Sequence, residues 1–252
     1  MLDIIQIPVL TDNYIYLLHD SDSGETAVVD PAVAEPVLAV LKQKGWQLTY
    51  ILNTHHHSDH VGGNVELKRQ TGCQIIASEF DKHRIPNLDR GVKEHDVINL
   101  GTHSAQVIAT AGHTNGHIVY YFAEDNALFC GDTLFVMGCG RLFEGSAAEL
   151  WQSLQKLKAL PSKTRVYCAH EYTQANGRFA LTVEPDNIAL QEKMIHINKL
   201  RANGLPTVPS TIGEELATNP FLRDLSSTLQ AKFKGIAPVE LFAKLRRLKD
   251  SF

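Results

Sequence analysis

Cysteine is scarce and scattered in this chain of 252 residues: Cys73, Cys130, Cys139 and Cys168 are the only four, and no C-x-x-C pair occurs. Such spacing excludes a disulfide framework and fits a reducing compartment, with the thiols as small core fillers. Cys130 and Cys168 each stand two residues before a candidate ligand, Asp132 and His170, which leaves a metal role open for either sulfur. A run of about 18 apolar residues is also missing, so no membrane-spanning helix is expected. The opening residues Met1-Leu2-Asp3-Ile4-Ile5-Gln6 lack the basic start and apolar stretch of a secretory leader, which points to a cytoplasmic protein. Positive charge is not in excess. A net charge of -4 and a pI near 6.3 supply no global field for nucleic acid or an anionic membrane, and basic residues are not interleaved with aromatics, so neither partner is expected. Repeats, low-complexity tracts and Gly/Ser-rich linkers are absent as well.

What is present is a globular composition, 44% hydrophobic, enough for one sizeable core and a smaller appendage. Within it, Thr54-His55-His56-His57-Ser58-Asp59-His60 packs four imidazoles and a carboxylate into seven residues. No hydrophobic core needs that chemistry, whereas imidazole is the commonest protein ligand for zinc and iron and Asp completes harder or mixed sites. In an extended stretch His55 and His57 point to one side, while Asp59 and His60 stand where the chain bends into the next element, so two metals could be served. That element reads as a helix with Val61, Val65 and Leu67 as its buried stripe and Gly72 as its stop.

Short β-rich runs recur at 27–30, 50–53, 74–77, 106–110, 118–122, 127–130 and 166–168. Between them, 35–44 reads as a helix with Pro36 in its first turn and Gly45 beyond its end. A second helix, 149–160, has Leu150, Leu154 and Leu157 on one face behind a Ser146-x-x-Glu149 capping box. Strands alternating with helices predict an α/β architecture. The strand ends matter most for function. Strand 50–53 runs into His55, 106–110 into Gly112-His113, 127–130 into Gly131-Asp132 and 166–168 into His170. Rigid strands that end in loops are where reactive groups are usually held, and glycine beside His113 and Asp132 permits close backbone approach. Beyond 173 the spacing of Ile188, Leu190, Met194, Ile195, Ile197 and Leu200 is helical, until Gly204-Leu205-Pro206 and Pro209 interrupt it.

The segments THHHSDH (54–60), AGHTNGH (111–117), GDTLF (131–135), GCGRLFEG (138–145) and CAHEYT (168–173) resemble the metallo-β-lactamase superfamily, the last three in particular its hydroxyacylglutathione hydrolase (glyoxalase II) family. The resemblance spans nearly the whole chain. It implies an αβ/βα sandwich as catalytic domain over 1–172 and a mainly helical substrate-binding domain over 173–252. It further implies two divalent metal ions, zinc first and iron or manganese as alternatives. His55, His57 and His113 would hold one, Asp59, His60 and His170 the other, and Asp132 would bridge them. Asp59 and Asp132 would position the metal-bound hydroxide that attacks a thioester. Thiolate is a good leaving group, so no Ser or Cys nucleophile is expected. His117, Asp30 and Thr133 are candidates for orienting the ligands.

A glutathione thioester carries carboxylates, so an acidic protein needs a local cationic clamp. The resemblance implies Arg246 and Lys249, three apart on a helix, for the glycine carboxylate of glutathione, and Arg141, Phe143 and Tyr172 as further carrier contacts. Phe242, Leu245 and Leu248 read as the packing stripe of that helix. The family often has Lys where Arg141 stands and Tyr where Phe143 stands, which bears on affinity, not reaction type. The expected function is hydrolysis of S-D-lactoylglutathione and related S-2-hydroxyacylglutathiones, a step of methylglyoxal detoxification, by a monomer acting on a small molecule. The alternatives are a mononuclear-iron persulfide dioxygenase or another hydrolase of the same fold, or a metal-binding protein without enzymatic activity.

Overall fold

The computed structural model describes all 252 residues, which form two compact units: 1–109 with 116–131, and 110–115 with 132–252. In the first unit, β1 (Asp3–Val9), β2 (Asn13–His19), β3 (Thr26–Val29), β4 (Tyr50–Leu52), β5 (Gln74–Ser78) and β6 (Arg90–Val92) form one sheet in that order. The hairpin β1–β2 and the pair β2–β3 are antiparallel, and the pairs from β3 to β6 are parallel. The parallel crossovers are made by α1 (Glu35–Lys44) and by the short helices α2 (Ser58–Val61) and α3 (Asn64–Thr71). Leu41 and Val37 of α1 and Leu67 of α3 pack with Ile15, Leu17, Val28, Ile51 and Ile75 from one face of the sheet. β7 (Val97–Leu100), β8 (His103–Ala109), β9 (Ile118–Phe122) and β10 (Ala127–Gly131) make an antiparallel meander. Its aromatic face meets the first sheet through Tyr16 and Phe129, ring centroids 5.5 Å apart. Buried Tyr120 donates its hydroxyl to the carbonyls of Asn53 (2.9 Å) and Ile76 (3.2 Å) at the ends of β4 and β5.

The second unit holds the small hairpin β11 (Leu134–Phe135) and β12 (Gly138–Cys139), then α4 (Ala147–Lys158), β13 (Arg165–Cys168), α5 (Thr173–Val183) and α6 (Ile188–Ala202). It continues with β14 (Ser210–Thr211), α7 (Ile212–Thr218), α8 (Ser227–Lys232) and α9 (Pro238–Asp250). Leu150, Leu154 and Leu157 of α4 are buried as their spacing predicts, and both halves of the Ser146/Glu149 capping box form. Phe221, stacked on Phe179 and edge-on to Phe242, forms with them an aromatic core joining α5 and α9. No helix of the protein is long and apolar enough to cross a membrane.

Three expectations need correction. The helix after His60 is two pieces, α2 ending at Val61 and α3 starting at Asn64, and a side chain on Gly62 or Gly63 between them would strike the carbonyls of Ala32 or Pro31. On α3, Leu67 and Asn64 are buried and Val65 is 49% exposed. On α9 the inner face is Leu241, Phe242, Leu245 and Arg246, and Leu248 lies outside it. On α6, Leu190, Met194 and Ile197 are buried while Ile188 and Ile195 are exposed, as a stripe at helical period requires. The hairpin β1–β2 carries no alternation in its second strand, since every residue from Asn13 to His19 is buried.

Replacing Tyr120 with Phe removes the hydroxyl that ties β9 to the ends of β4 and β5 and takes that donor from the Asn53 carbonyl, whereas the Ile76 carbonyl still accepts from the Asn53 N–H. Tyr120→Phe is expected to lower unfolding free energy by about 1–3 kcal/mol. Urea unfolding measures it, and an unchanged midpoint and slope would show that the hydroxyl contributes nothing to the joint.

Candidate metal centre and the adjoining cavity

β3 ends at Val29 and places Asp30 in a left-handed conformation (φ 48°), so its buried carboxylate turns back across the end of β4. There it accepts from the Thr54 backbone N–H (2.8 Å), the Thr54 hydroxyl (2.7 Å) and His60 Nδ1 (3.0 Å). A carboxylate only accepts, so the His60 proton sits on Nδ1 and its Nε2 presents a lone pair. Thr54 Oγ1 has spent its proton on Asp30 and therefore accepts from His55 Nδ1 (3.1 Å), which leaves His55 Nε2 as the donor atom, 3.0 Å from His57 Nδ1. Asp30, His55 and His60 bring one ligand atom each within 4.8 Å of one another. The His55 ring is itself buried, stacked on His117 at 4.7 Å and 20°. Asp59 Oδ2 lies 3.6 Å from His60 Nε2 and accepts from Asn13 Nδ2 (3.1 Å). Asn53, also buried, closes the 54–60 loop by donating to the His60 carbonyl (3.0 Å).

In the second unit, Gly112 (φ 145°) lets the backbone lie against Leu150 of α4 where no side chain would fit. His113 follows and donates Nδ1–H to the Arg141 carbonyl (2.8 Å), which again leaves Nε2 as the lone-pair nitrogen. That nitrogen stands 3.4 Å from Asp132 Oδ2, while the other oxygen, Oδ1, stands 3.5 Å from His170 Nε2. Hydrogen bonds would hold these atoms near about 2.9 Å. Two donors on one tetrahedral ion, each about 2.0–2.1 Å from it, lie about 3.3 Å apart. The Asp132 carboxylate thus faces a different imidazole with each oxygen at ligand-to-ligand spacing, and the donor set fits a divalent metal. Thr133 donates to Thr110 Oγ1 (2.8 Å) beneath this loop.

A cavity of about 370 Å³ opens beside it. Its lining combines His113 and Asp132, the rings of Phe135, Phe143 and Tyr172, and the cations Arg141, Arg246 and Lys249. Tyr172 stacks flat on His170 (4.7 Å, 4°), and Phe143 stands edge-on to His113 (5.2 Å) with 62% of its surface exposed. The cations differ in kind. Arg141 is exposed and pairs with Asp250 (3.4 Å), and Lys249 is half-buried. Arg246, by contrast, is 5% exposed and built into the wall: Nη1 donates to the carbonyl of Cys139 (2.8 Å), Nη2 to Asp250 (2.9 Å), and buried Nε has no hydrogen-bond partner. Burial, then the charge of Arg246 and of Arg178, push the Lys249 ammonium below the usual lysine range, as expected where positive charge is concentrated. Burial likewise raises the thiols, Cys139 to about 11 and Cys168 to about 12, and all four cysteines are free and buried.

Every residue expected at a site is therefore gathered with others of its kind: His55, His57, Asp59 and His60 in the first unit, His113, Asp132, His170 and the cations in the second. Asn13, Asn53 and Thr54 carried no chemical signal in the sequence. Asn13 contacts Asp59 only through the hairpin that β2 completes, 46 residues away.

Residues 10–170 match the metallo-β-lactamase superfamily, and residues 171–252 match the hydroxyacylglutathione hydrolase C-terminus. The chain is 57% identical to a hydroxyacylglutathione hydrolase of Methylococcus capsulatus over 100% of its own length and 99% of that protein. It is 56% identical to one of Rhodospirillum rubrum over the same shares. Among solved structures it is similar to ETHE1 from Myxococcus xanthus, with a TM-score of 0.71 and 25% identity over 97% of this chain and 90% of that one.

Thiols raised this far are protonated at neutral pH and shielded from solvent. Native protein at pH 7.5 is expected to leave Cys139 and Cys168 unmodified by iodoacetamide, while urea-unfolded protein takes label at all four cysteines. Peptide mass mapping reads the result; rapid native labelling of Cys139 would show a thiolate and contradict its burial.

Proposed function

The chain belongs to the metallo-β-lactamase superfamily and, within it, to the hydroxyacylglutathione hydrolases, and we propose that it hydrolyses S-D-lactoylglutathione and related S-2-hydroxyacylglutathiones with two zinc ions in methylglyoxal detoxification. It is an α/β thioester hydrolase of the metallo-β-lactamase fold that uses divalent metal and a small-molecule substrate. His55, His57 and His113 are assigned to one ion, Asp59, His60 and His170 to the other, and Asp132 to both. The catalytic domain is taken as 1–172 and the substrate-binding domain as 173–252, in a cytoplasmic monomer. The observation that carries the reading is one cavity lined both by His113 and Asp132 and by Arg141, Arg246 and Lys249. A substrate with a reacting acyl centre and remote carboxylates matches that lining.

Two ions held there would polarise the thioester carbonyl and lower the pKa of a water towards neutrality. The protein's part is orientation. Asp30 and Thr54 hold the protons of His60 and His55 on Nδ1, and the Arg141 carbonyl does the same for His113. Asp59, steadied by Asn13, and Asp132, with an oxygen towards each of two imidazoles, are assigned to position the attacking water. Thiolate departs without a general acid. Arg246, anchored to the Cys139 carbonyl and Asp250, and Lys249 grip carboxylates far from the reacting bond, and Phe143 and Tyr172 flank the carrier.

Asp132→Ala is expected to reduce occupancy of both metals, whereas His113→Ala mainly weakens one, since a carboxylate can offer an oxygen to each ion and an imidazole serves one. Elemental analysis of purified variants decides it; full two-metal loading of Asp132→Ala would end the binuclear assignment.

Lys249→Ala is the cleaner probe of the carrier, because Arg246 also supports the cavity wall. It is expected to raise KM for S-D-lactoylglutathione about tenfold with kcat little changed, the pattern of binding that is uniform between ground and transition states. Salt should raise the wild-type KM more steeply than the variant's. Alkaline pH should raise wild-type KM as Lys249 loses its proton, beginning below the ordinary lysine range, with the variant flat over the same interval. An unchanged KM would leave Lys249 as a solvated helix residue.

A further inference from the structure

The proposed metal assignment uses three of the four imidazoles in 54–60 and gives His56 no task. His56 lies in the irregular segment before α2 with its ring edge-on to that of His57, centroids 5.0 Å apart. Its ring stands perpendicular to that of His55 (85°, 6.4 Å), and its partners are Asp81 and Arg84. Arg84 Nη1 lies 3.3 Å from His56 Nε2, and a guanidinium can only donate, so this nitrogen accepts and the ring proton sits on Nδ1. Nδ1 lies 3.5 Å from Asp81 Oδ2, beyond hydrogen-bond length, so the bonded link between the two residues is Arg84. Asp81 is fully buried at the end of the 3-10 turn 79–81, and its other oxygen accepts from Arg84 Nε (3.1 Å) and Nη2. The same carboxylate fills the space that a side chain at Gly116 would need, directly before His117, the residue stacked on His55.

We propose that Asp81, charge-paired with Arg84, is a positioning residue for the metal centre: through Arg84 it holds His56 and thereby fixes the backbone from which His55 and His57 present their nitrogens. Asp81 touches no ligand atom. It braces the 54–60 loop through His56 and meets the chain at Gly116, so the loop and the approach to His117 share one buried support. Supports outside the ligands typically change metal affinity about 10–100-fold when removed, and an indirect one belongs near the lower figure. The proposal rests on 54–60 being a metal site.

The test compares wild type, Asp81→Asn, His56→Gln and the double variant. Apparent metal dissociation constants come from chelator competition, the ligand field from the visible spectrum of the Co(II)-substituted protein, and fold from thermal unfolding of the metal-free forms. Each single variant is expected to weaken metal about tenfold and to shift the Co(II) bands, and the double variant to be no weaker than the worse single, because both residues act through one contact. Unchanged affinity and spectrum with a lowered metal-free midpoint would make Asp81 merely structural and overturn the proposal. Losses that multiply in the double variant would overturn it too. Should Asp81→Asn fail to fold, His56→Gln decides alone, and wild-type affinity in that variant counts against the proposal. Wild-type protein that binds no metal would overturn the metal reading and this inference together, whereas the other outcomes overturn this inference with the metal reading intact.

Discussion

A histidine offers a metal one lone pair, and only when something keeps its proton on the other nitrogen. Much of this protein is arranged around that constraint. Asp30 reaches from the end of β3 to Thr54 and His60, and Thr54 passes the constraint on to His55. In the second unit a backbone carbonyl, that of Arg141, does the same for His113. Buried polar groups without partners are costly, so each orienting bond also removes a penalty that the loop would otherwise carry. Imidazole orientation and fold stability are therefore supplied by the same contacts, and Asp30 accepts its positive φ to make them.

The cavity shows a second economy. An acidic chain concentrates positive charge at one place by burying Arg246 against the Cys139 carbonyl and keeping half-buried Lys249 one turn further along α9. Asp250 touches both Arg141 and Arg246 and offsets part of that charge. Burial first, and then the neighbouring guanidinium charges of Arg246 and Arg178, lower the Lys249 pKa. Cys139, although it lines the same cavity, is kept as a thiol by burial, which suits hydrolysis without a protein nucleophile.

The ligand candidates, the capping box at Ser146, the α1 helix with its glycine stop and the cysteines as buried fillers were legible because each is a local pattern. Hydrogen-bond donors at fixed spacing, helix caps and apolar period depend on neighbours a few residues away. The outward Leu248 and Val65 were not legible, because several helical faces fit the same residues and packing selects one. Nor was β2: a strand buried on both sides has no alternation to read.

By itself, then, the sequence determined which side chains could bind metal, that strands would deliver them, and that the C-terminal segment carried a basic helix. Only the tertiary structure decided which nitrogen of His55, His60 and His113 carries the lone pair, that Asn13 meets Asp59, that Arg246 is anchored in the cavity wall, and that Arg84 joins His56 to Asp81. Most of those contacts join atoms from 24 to 107 residues apart, and no local rule of spacing contains them.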